Sequence, residues 1–173
     1  PPLETLFPYT TLFRSEFSSF NNSAKLNLKN VSLDAIIKET VDSLTPLCHS
    51  LGISLVYQKE TAIPLIQADP VKTRQVVLNL LTNAREAIGT QGLISCTLSC
   101  DGENIYLCVK DTGSGIPSSY QKDIFQPFVT HKQGGTGLGL AICQRIVQAH
   151  NGRIYFRSVP GQETEFHVVF PIT

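Results

Sequence analysis

A two-layer α+β sandwich with about three helices and six or seven strands is what this sequence predicts, and three observations predict it. Apolar residues fall into segments of helical period and segments of strand period in mixed order along the chain. The 173 residues suit a single domain-sized core, and a hydrophobic content of 42% is too high for a disordered chain. No apolar run approaches the roughly 18 residues that a spanning helix needs, so a soluble globular domain is expected.

Taken in order, Lys25 to Val31 alternates through Leu26 and Leu28 and reads as a short edge strand, which starts the ordered domain near Leu26. Ser32 is an N-cap candidate for a helix whose stripe runs Leu33, Ile36, Ile37, Val41, Leu44, Leu47 and Cys48, closed by Gly52. Ile53 to Tyr57 is a strand and Leu65 to Ala68 a second short one. Asp69 followed by Pro70 is a strong helix start, because the carboxylate caps free amides and proline suits the first helical position. That helix runs to about Ile88 and stops at Gly89. Strands Gly92 to Cys100 and Asn104 to Val109 are joined by Asp101-Gly102. A long Gly-, Ser- and Pro-containing stretch, Asp111 to Gly135, is of a length usually kept for function or mobility. A helix from Leu138 to His150, with Leu138, Ile142, Ile146 and Ala149 on one face, and strands Arg153 to Ser158 and Glu165 to Phe170 complete the chain.

Residues 1–25 read as leader and connector, and 26–173 as the domain. Methionine is absent and the chain opens Pro1-Pro2, which reads as a fragment. Thr5 to Ser15 resembles the translation of a sequencing adapter and is set aside from fold reasoning; its alternative is the tail of a preceding helix. Five cysteines without a C-x-x-C pair suit neither a disulfide framework nor a zinc knuckle, and reduced, cytoplasmic thiols are the expectation. Cys96 and Cys108 sit in strand-like runs and are assigned no chemistry. Fourteen basic against fourteen acidic residues give no general surface for nucleic acid or anionic membrane, so any phosphate recognition must be local.

Three constellations carry possible chemistry. On the helix from Pro70, Gln75, Asn79, Asn83 and Glu86 fall within a band about 80° wide at the margin of the core. The two amides either satisfy nearby backbone or offer oxygen to a hard cation such as Mg²⁺. Asp111-Thr112-Gly113-Ser114-Gly115 follows a strand, as a carboxylate beside a close backbone approach or as a plain turn. Gly134-Gly135-Thr136-Gly137-Leu138-Gly139-Leu140 leads into a helix, as an anion site at free amides or as a hinge. Neither the P-loop nor the dinucleotide fingerprint fits, since no Lys-Ser/Thr pair follows Gly137 and no third glycine is correctly spaced.

Asn79-Leu80-Leu81-Thr82-Asn83-Ala84, Asp111-Thr112-Gly113-Ser114-Gly115, Phe125-Gln126-Pro127-Phe128 and Gly135-Thr136-Gly137-Leu138-Gly139-Leu140, in that order, resemble the N, G1, F and G2 boxes of sensor histidine kinases, most similarly those of nitrogen-regulation type. The resemblance covers about Leu26 to Thr173 and implies the Bergerat fold: a mixed sheet backed by helices, with ATP under a mobile lid. It implies that Asp111 accepts a hydrogen bond from the adenine amino group while Gly113 and Gly115 let the chain pass the base. Asn83 would bind Mg²⁺ and Asn79 support the phosphate end. Phe125 and Phe128 would fasten the lid, and Lys132, with Thr130 nearby, would approach the terminal phosphates. Gly135, Thr136, Gly137, Leu138 and Gly139 would wrap them. His131 stands where the family often has a threonine, which leaves its contact with phosphate open.

The same fold resembles that of type II topoisomerases, mismatch-repair ATPases and heat-shock chaperones, and in the first two a glutamate activates water from the position of Asn79. An amide cannot serve as that base, which favours holding ATP for transfer over hydrolysing it. None of His49, His131, His150 or His167 has the family's phosphoacceptor context, so the implied partners are a separate dimerisation and phosphoacceptor domain and a downstream response regulator, with the fragment itself expected to be monomeric. An ATPase of the same superfamily and a nucleotide-sensing domain without transfer activity are the alternatives.

Overall fold

The computed structural model describes residues 7–172. Four helices and seven strands follow one another as α1 (Phe7–Asn22), β1 (Lys29–Val31), α2 (Leu33–Ser50), β2 (Ile53–Lys59), β3 (Ile66–Ala68), α3 (Pro70–Ile88), β4 (Gly92–Cys100), β5 (Asn104–Asp111), α4 (Gly139–Ala149), β6 (Arg153–Val159) and β7 (Glu163–Pro171). Five strands form one mixed sheet in the order β2-β4-β5-β7-β6, parallel only between β2 and β4. Strands β1 and β3 pair antiparallel in a separate two-stranded sheet.

Strict alternation builds the two layers. Ile94, Cys96 and Leu98 on β4, Ile105, Leu107 and Val109 on β5, and Phe166, Val168 and Phe170 on β7 are all buried. They meet Leu33, Ile37 and Val41 of α2, Val76, Val77, Leu80, Leu81 and Ala84 of α3, and Ile142, Ile146 and Val147 of α4 in a single hydrophobic cluster. Burying apolar surface at roughly 25 cal/mol per Å² makes this layer the main source of stability. The opposite face of the sheet carries polar side chains such as Lys110, Glu165 and His167.

The helix starts follow their caps. Ser32 accepts from the Ala35 amide at 3.2 Å, and Asp69 Oδ1 accepts from the Val71 and Lys72 amides at 3.0 Å each. Asp69 also reaches outside its own helix: its Oδ2 accepts from the Asn27 amide at 2.8 Å, and its N–H donates to His150 Nε2 at 3.0 Å. Since His150 Nδ1 faces the Ile146 carbonyl at 2.7 Å, the ring is set as the neutral Nδ1–H tautomer. Burial alone would raise the Asp69 pKa, but the three backbone donors outweigh it and hold the carboxyl below its ordinary range.

Several expectations are corrected. Phe7–Asn22 is helical, so a stretch set aside as leader and connector contains a fourth helix. Its period was hidden by the apolar residues at its surface, Leu12, Phe13 and Phe17, each more than 40% exposed. What holds it is Arg145 of α4, whose guanidinium lies 4.4 Å over the Phe20 ring and donates to the Phe20 carbonyl at 3.1 Å. The first strand is shorter than Lys25 to Val31, beginning at Lys29. Strand β5 extends two residues further than Val109, so Asp111 closes the strand instead of following it. Leu47 of the predicted stripe is exposed while Cys48 is buried, because at 100° per residue Leu47 falls on the edge of the stripe. Cys108 is only half-buried, on the polar face of the sheet. Expectations for residues 1–6 and 173 lie outside the described residues.

Asp69→Ala removes a cap and the tie to Asn27 together, and should cost about 2 kcal/mol of stability in urea denaturation, at the upper end of single-cap losses. A cost under about 0.5 kcal/mol would show that neither bond matters to the fold.

Candidate functional site

The polar stripe of α3 forms one wall of a cleft of about 800 Å³, and the segment 112–138 between β5 and α4 forms the other. Asn79, Asn83, Asp111, Gly115, Thr130, Lys132, Gly135, Thr136, Gly137 and Gly139 of the predicted site all line it. Gly113, Phe125, Phe128 and Leu138 do not.

Asp111 is 2% exposed, and its Oδ1 accepts from the Gly113 amide at 2.8 Å. Burial pushes its pKa up from 3.8 to about 6, only partly opposed by the Gly113 amide and Lys132 and reinforced by Glu163. A carboxylate kept this dry at the floor of a cleft, with one oxygen committed, has its other oxygen available to a ligand donor. Gly113 has to be glycine for steric reasons: a Cβ would lie 2.7 Å from the Ala87 carbonyl carbon and 2.7 Å from the Asp111 carboxylate. Gly137 is needed for its backbone as well, with φ of 72° and a Cβ position 2.6 Å from the Phe128 carbonyl carbon.

At the other end, Asn83 Oδ1 accepts from Lys132 Nζ at 3.1 Å, and the same ammonium is 2.5 Å from Glu86. One lid cation is thus pinned to two residues of the α3 stripe. Asn79 Nδ2 donates to the Gly139 carbonyl at 3.2 Å, which ties the stripe to the first turn of α4. Oxygen donors already shared by a cation suit a hard ion, and Asn83 with Glu86 fits Mg²⁺ in donor type.

The lid is fastened unequally. Phe125 packs edge-on against Phe156 and Phe166, with centroids 6.0 and 6.4 Å away. The Phe128 ring does not fasten it, which corrects the expectation: it is 53% exposed and lies 6.4 Å from Phe13 of α1. Its backbone makes the tie instead, donating to the Gly137 carbonyl at 3.0 Å. The reason is a φ of 67°, which turns the side chain away from the sheet. Thr130 Oγ1 accepts from the Lys132 amide at 3.1 Å, Leu138 is fully buried, and the Thr136 hydroxyl bonds the Glu16 carboxylate. His131 is stacked on Tyr120, with rings 10° from parallel.

Sequence reasoning missed Thr164 and Phe166, which line the cleft from β7, and Leu12 and Glu16, which line it from α1. Thr164 is directly opposite Asp111 in the strand register, a pairing that no local motif encodes. Glu86 was on the predicted stripe but was not given its partner, Lys132.

Residues 68–173 match the protein family described as Histidine kinase-, DNA gyrase B-, and HSP90-like ATPase. Sensor histidine kinase ZraS of Escherichia coli (strain K12) is 37% identical over 158 residues, covering 91% of this chain and 34% of that protein. Signal transduction histidine-protein kinase AtoS of the same organism is 37% identical over 145 residues, covering 83% and 24%. The chain therefore spans about a third or less of the length of these curated relatives. Among solved structures, full-length ShkA in complex with AMPPNP superposes with a TM-score of 0.84 at 28% identity, over 93% of this chain and 35% of that one. The nucleotide-free catalytic domain of histidine kinase ThkA gives 0.78 at 29%, over 86% and 97%. The mixed sheet backed by helices is thus the Bergerat fold of histidine kinase catalytic domains.

A carboxyl whose pKa is higher folded than unfolded contributes stability that is complete below the unfolded value and is lost as pH rises through the folded one, here between 3.8 and about 6. Asp111→Asn keeps an oxygen for Gly113 but removes the buried charge. It should raise stability at about pH 7 by on the order of 2 kcal/mol and flatten the loss between about pH 4 and 7, followed by urea denaturation across that range. A pH profile identical to that of the wild type would refute the assignment of buried charge.

Proposed function

The chain belongs to the histidine kinase-, DNA gyrase B- and HSP90-like ATPase family, and we propose that it binds ATP with Mg²⁺ and donates the γ-phosphoryl group to a histidine on a separate helical domain. The observation that carries the transfer reading is the amide side chain at Asn79. Asn79, at the position where hydrolysing relatives hold a glutamate, is an amide donating to Gly139. An amide cannot take a proton from water, and Glu86 lies seven residues further along α3, about 10 Å at roughly 1.5 Å per residue, so the position beside the terminal phosphate has no general base.

In this reading the base stands over Gly113 and Gly115, with the free oxygen of Asp111 accepting from the adenine amino group. The phosphates run toward Asn79 and Asn83 and are covered by amides of the Gly135–Gly139 stretch, where α4 begins. Asn83 would hold Mg²⁺, which would supply charge neutralisation at the phosphates. Lys132 leaves Asn83 and Glu86 to meet the terminal phosphate, so its ion pair with α3 is exchanged for one with substrate. Phe125, packed edge-on against the sheet's aromatics, stays as the fixed end of the moving segment. Positioning and charge neutralisation are most of what phosphoryl transfer requires. The partners are the parent kinase's dimerisation and phosphoacceptor domain and, downstream, a response regulator; a structure of histidine kinase ThkA in complex with response regulator TrrA, 26% identical with a TM-score of 0.74, supports the latter class. Among the described residues no helix is long and apolar enough to cross a membrane; the reading places the domain in the cytoplasm, where ATP is.

With labelled ATP the chain alone should stay unlabelled, and the addition of its parent's helical domain should yield acid-labile phosphohistidine on that domain. No transfer after mixing, with nucleotide still bound, would leave a sensing domain as the better reading. Asn83→Ala should weaken Mg²⁺-dependent binding of a fluorescent ATP analogue by more than about tenfold; unchanged affinity would remove the Mg²⁺ role. Without nucleotide, amide hydrogen exchange should be fastest across residues 121–135, and strong protection there would contradict a mobile lid.

A further inference from the structure

The polar face of the sheet, on the side away from the nucleotide cleft, brings together three side chains that the kinase reading does not use. Cys108 of β5 and His167 of β7 are directly opposite each other in the register, and Glu165 is two residues before His167 on the same face. One ligand atom from each, the thiol sulfur, an imidazole nitrogen and a carboxylate oxygen, lie within 4.8 Å of one another, and all three residues are half-buried. From this geometry we infer that Cys108, Glu165 and His167 form a binding site for a borderline-soft divalent ion, Zn²⁺ above all.

The donor set favours that class. A thiolate, an imidazole and a carboxylate are the three ligand types zinc takes, with bonds of about 2.0–2.3 Å, which put tetrahedral ligands roughly 3.3–3.7 Å apart. His167 Nε2 and Glu165 Oε2 are already 3.2 Å apart, so only the sulfur has to approach, by rotation about the Cys108 Cα–Cβ bond. Mg²⁺ and Ca²⁺ prefer all-oxygen shells and would gain nothing from the sulfur.

The ligands are also oriented from outside. Glu165 Oε1 is held by Lys110 Nζ at 2.9 Å, which leaves Oε2 for the site. Lys110 is neutralised a second time by Glu163, also at 2.9 Å, so its charge is shared rather than aimed at the ion. The His167 ring lies 10° from parallel to Tyr155 with centroids 4.8 Å apart, which fixes the plane of the imidazole. Such supporting contacts are a regular part of metal sites. Three protein ligands on an open face leave the fourth position to water, the pattern of an exchangeable site rather than a closed structural one. On binding, the Cys108 thiol gives up its proton to solvent, the His167 Nε2 proton shared with Glu165 is lost through solvent with Nδ1 keeping the one proton of the neutral ring, and sulfur and Nε2 each donate a lone pair to the metal; no redox step is involved.

The reduced chain, freed of metal, is titrated with Co²⁺ and then Zn²⁺. One equivalent of Co²⁺ should produce a thiolate charge-transfer band in the near ultraviolet with visible d–d bands, and one equivalent of Zn²⁺ should abolish both. Cys108→Ser should remove the charge-transfer band, and His167→Gln and Glu165→Gln should each weaken Co²⁺ binding by more than about tenfold. Cys100→Ser, the other cysteine that is not buried, should leave the spectrum unchanged. Should a variant fail to fold by circular dichroism, protection of wild-type Cys108 from alkylation by Zn²⁺, read by mass spectrometry, decides instead. Absence of the band in the wild type, its survival in Cys108→Ser, or alkylation of Cys108 at an unchanged rate with Zn²⁺ would overturn the site. Asn83→Ala should bind Co²⁺ as the wild type does, which separates this result from the nucleotide reading.

Discussion

Everything that matters for the cleft depends on where α3 starts. Asp69 fixes that point with one carboxylate and one amide: Oδ1 caps α3, Oδ2 receives the segment before β1 through Asn27, and its N–H ends on His150 at the far end of α4. Two helices and the small sheet are thus tied within one residue. His150 can fill this role only as a neutral ring, because Nε2 must keep its lone pair to accept from the Asp69 N–H while Nδ1 donates to its own helix. With the first turn of α3 pinned and Leu80, Leu81 and Ala84 buried, the helix cannot rotate, and the azimuth of Asn79, Asn83 and Glu86 is set.

The site then balances two electrostatic costs. At one end a buried carboxylate is kept poorly solvated, which costs stability and is offset in part by a backbone amide. At the other, a lid ammonium satisfies the oxygens of the stripe. The pair with Glu86 is exposed enough that its own contribution is small, so it can be given up readily when a phosphate competes for the same cation. A lid held by a weak ion pair at one side and by edge-on aromatics at the other opens from the weak side.

Much of this was legible because its signals are local. Asp69-Pro70 located α3, alternation located β4 and β7, and four motifs in order identified the fold and the acids and amides of the cleft. What escaped depends on contacts between distant residues. The Phe128 ring turns outward because of a positive φ that no phenylalanine in a motif announces. Thr164 enters the site through strand register with Asp111, and Cys108 meets His167 the same way, although neither pair is close in sequence. Helix α1 stood only as the alternative reading, the tail of a helix, because its exposed aromatics hide its period and its anchor, Arg145, is on α4.

The connection from β2 to the parallel β4 runs through β3 and α3, so α3 is a crossover helix lying on the sheet it bridges. Its N-terminal end is capped and its inner face is packed, which leaves it intolerant of changes in length. A residue inserted between Asp69 and Asn79 would turn everything after it by about 100°, carrying the amides of the stripe away from the cleft and apolar neighbours into it. The segment 112–138 obeys no such period between its ties. Insertions and deletions among related chains should therefore collect in the lid and spare the helix facing it, whatever happens to individual side chains in either.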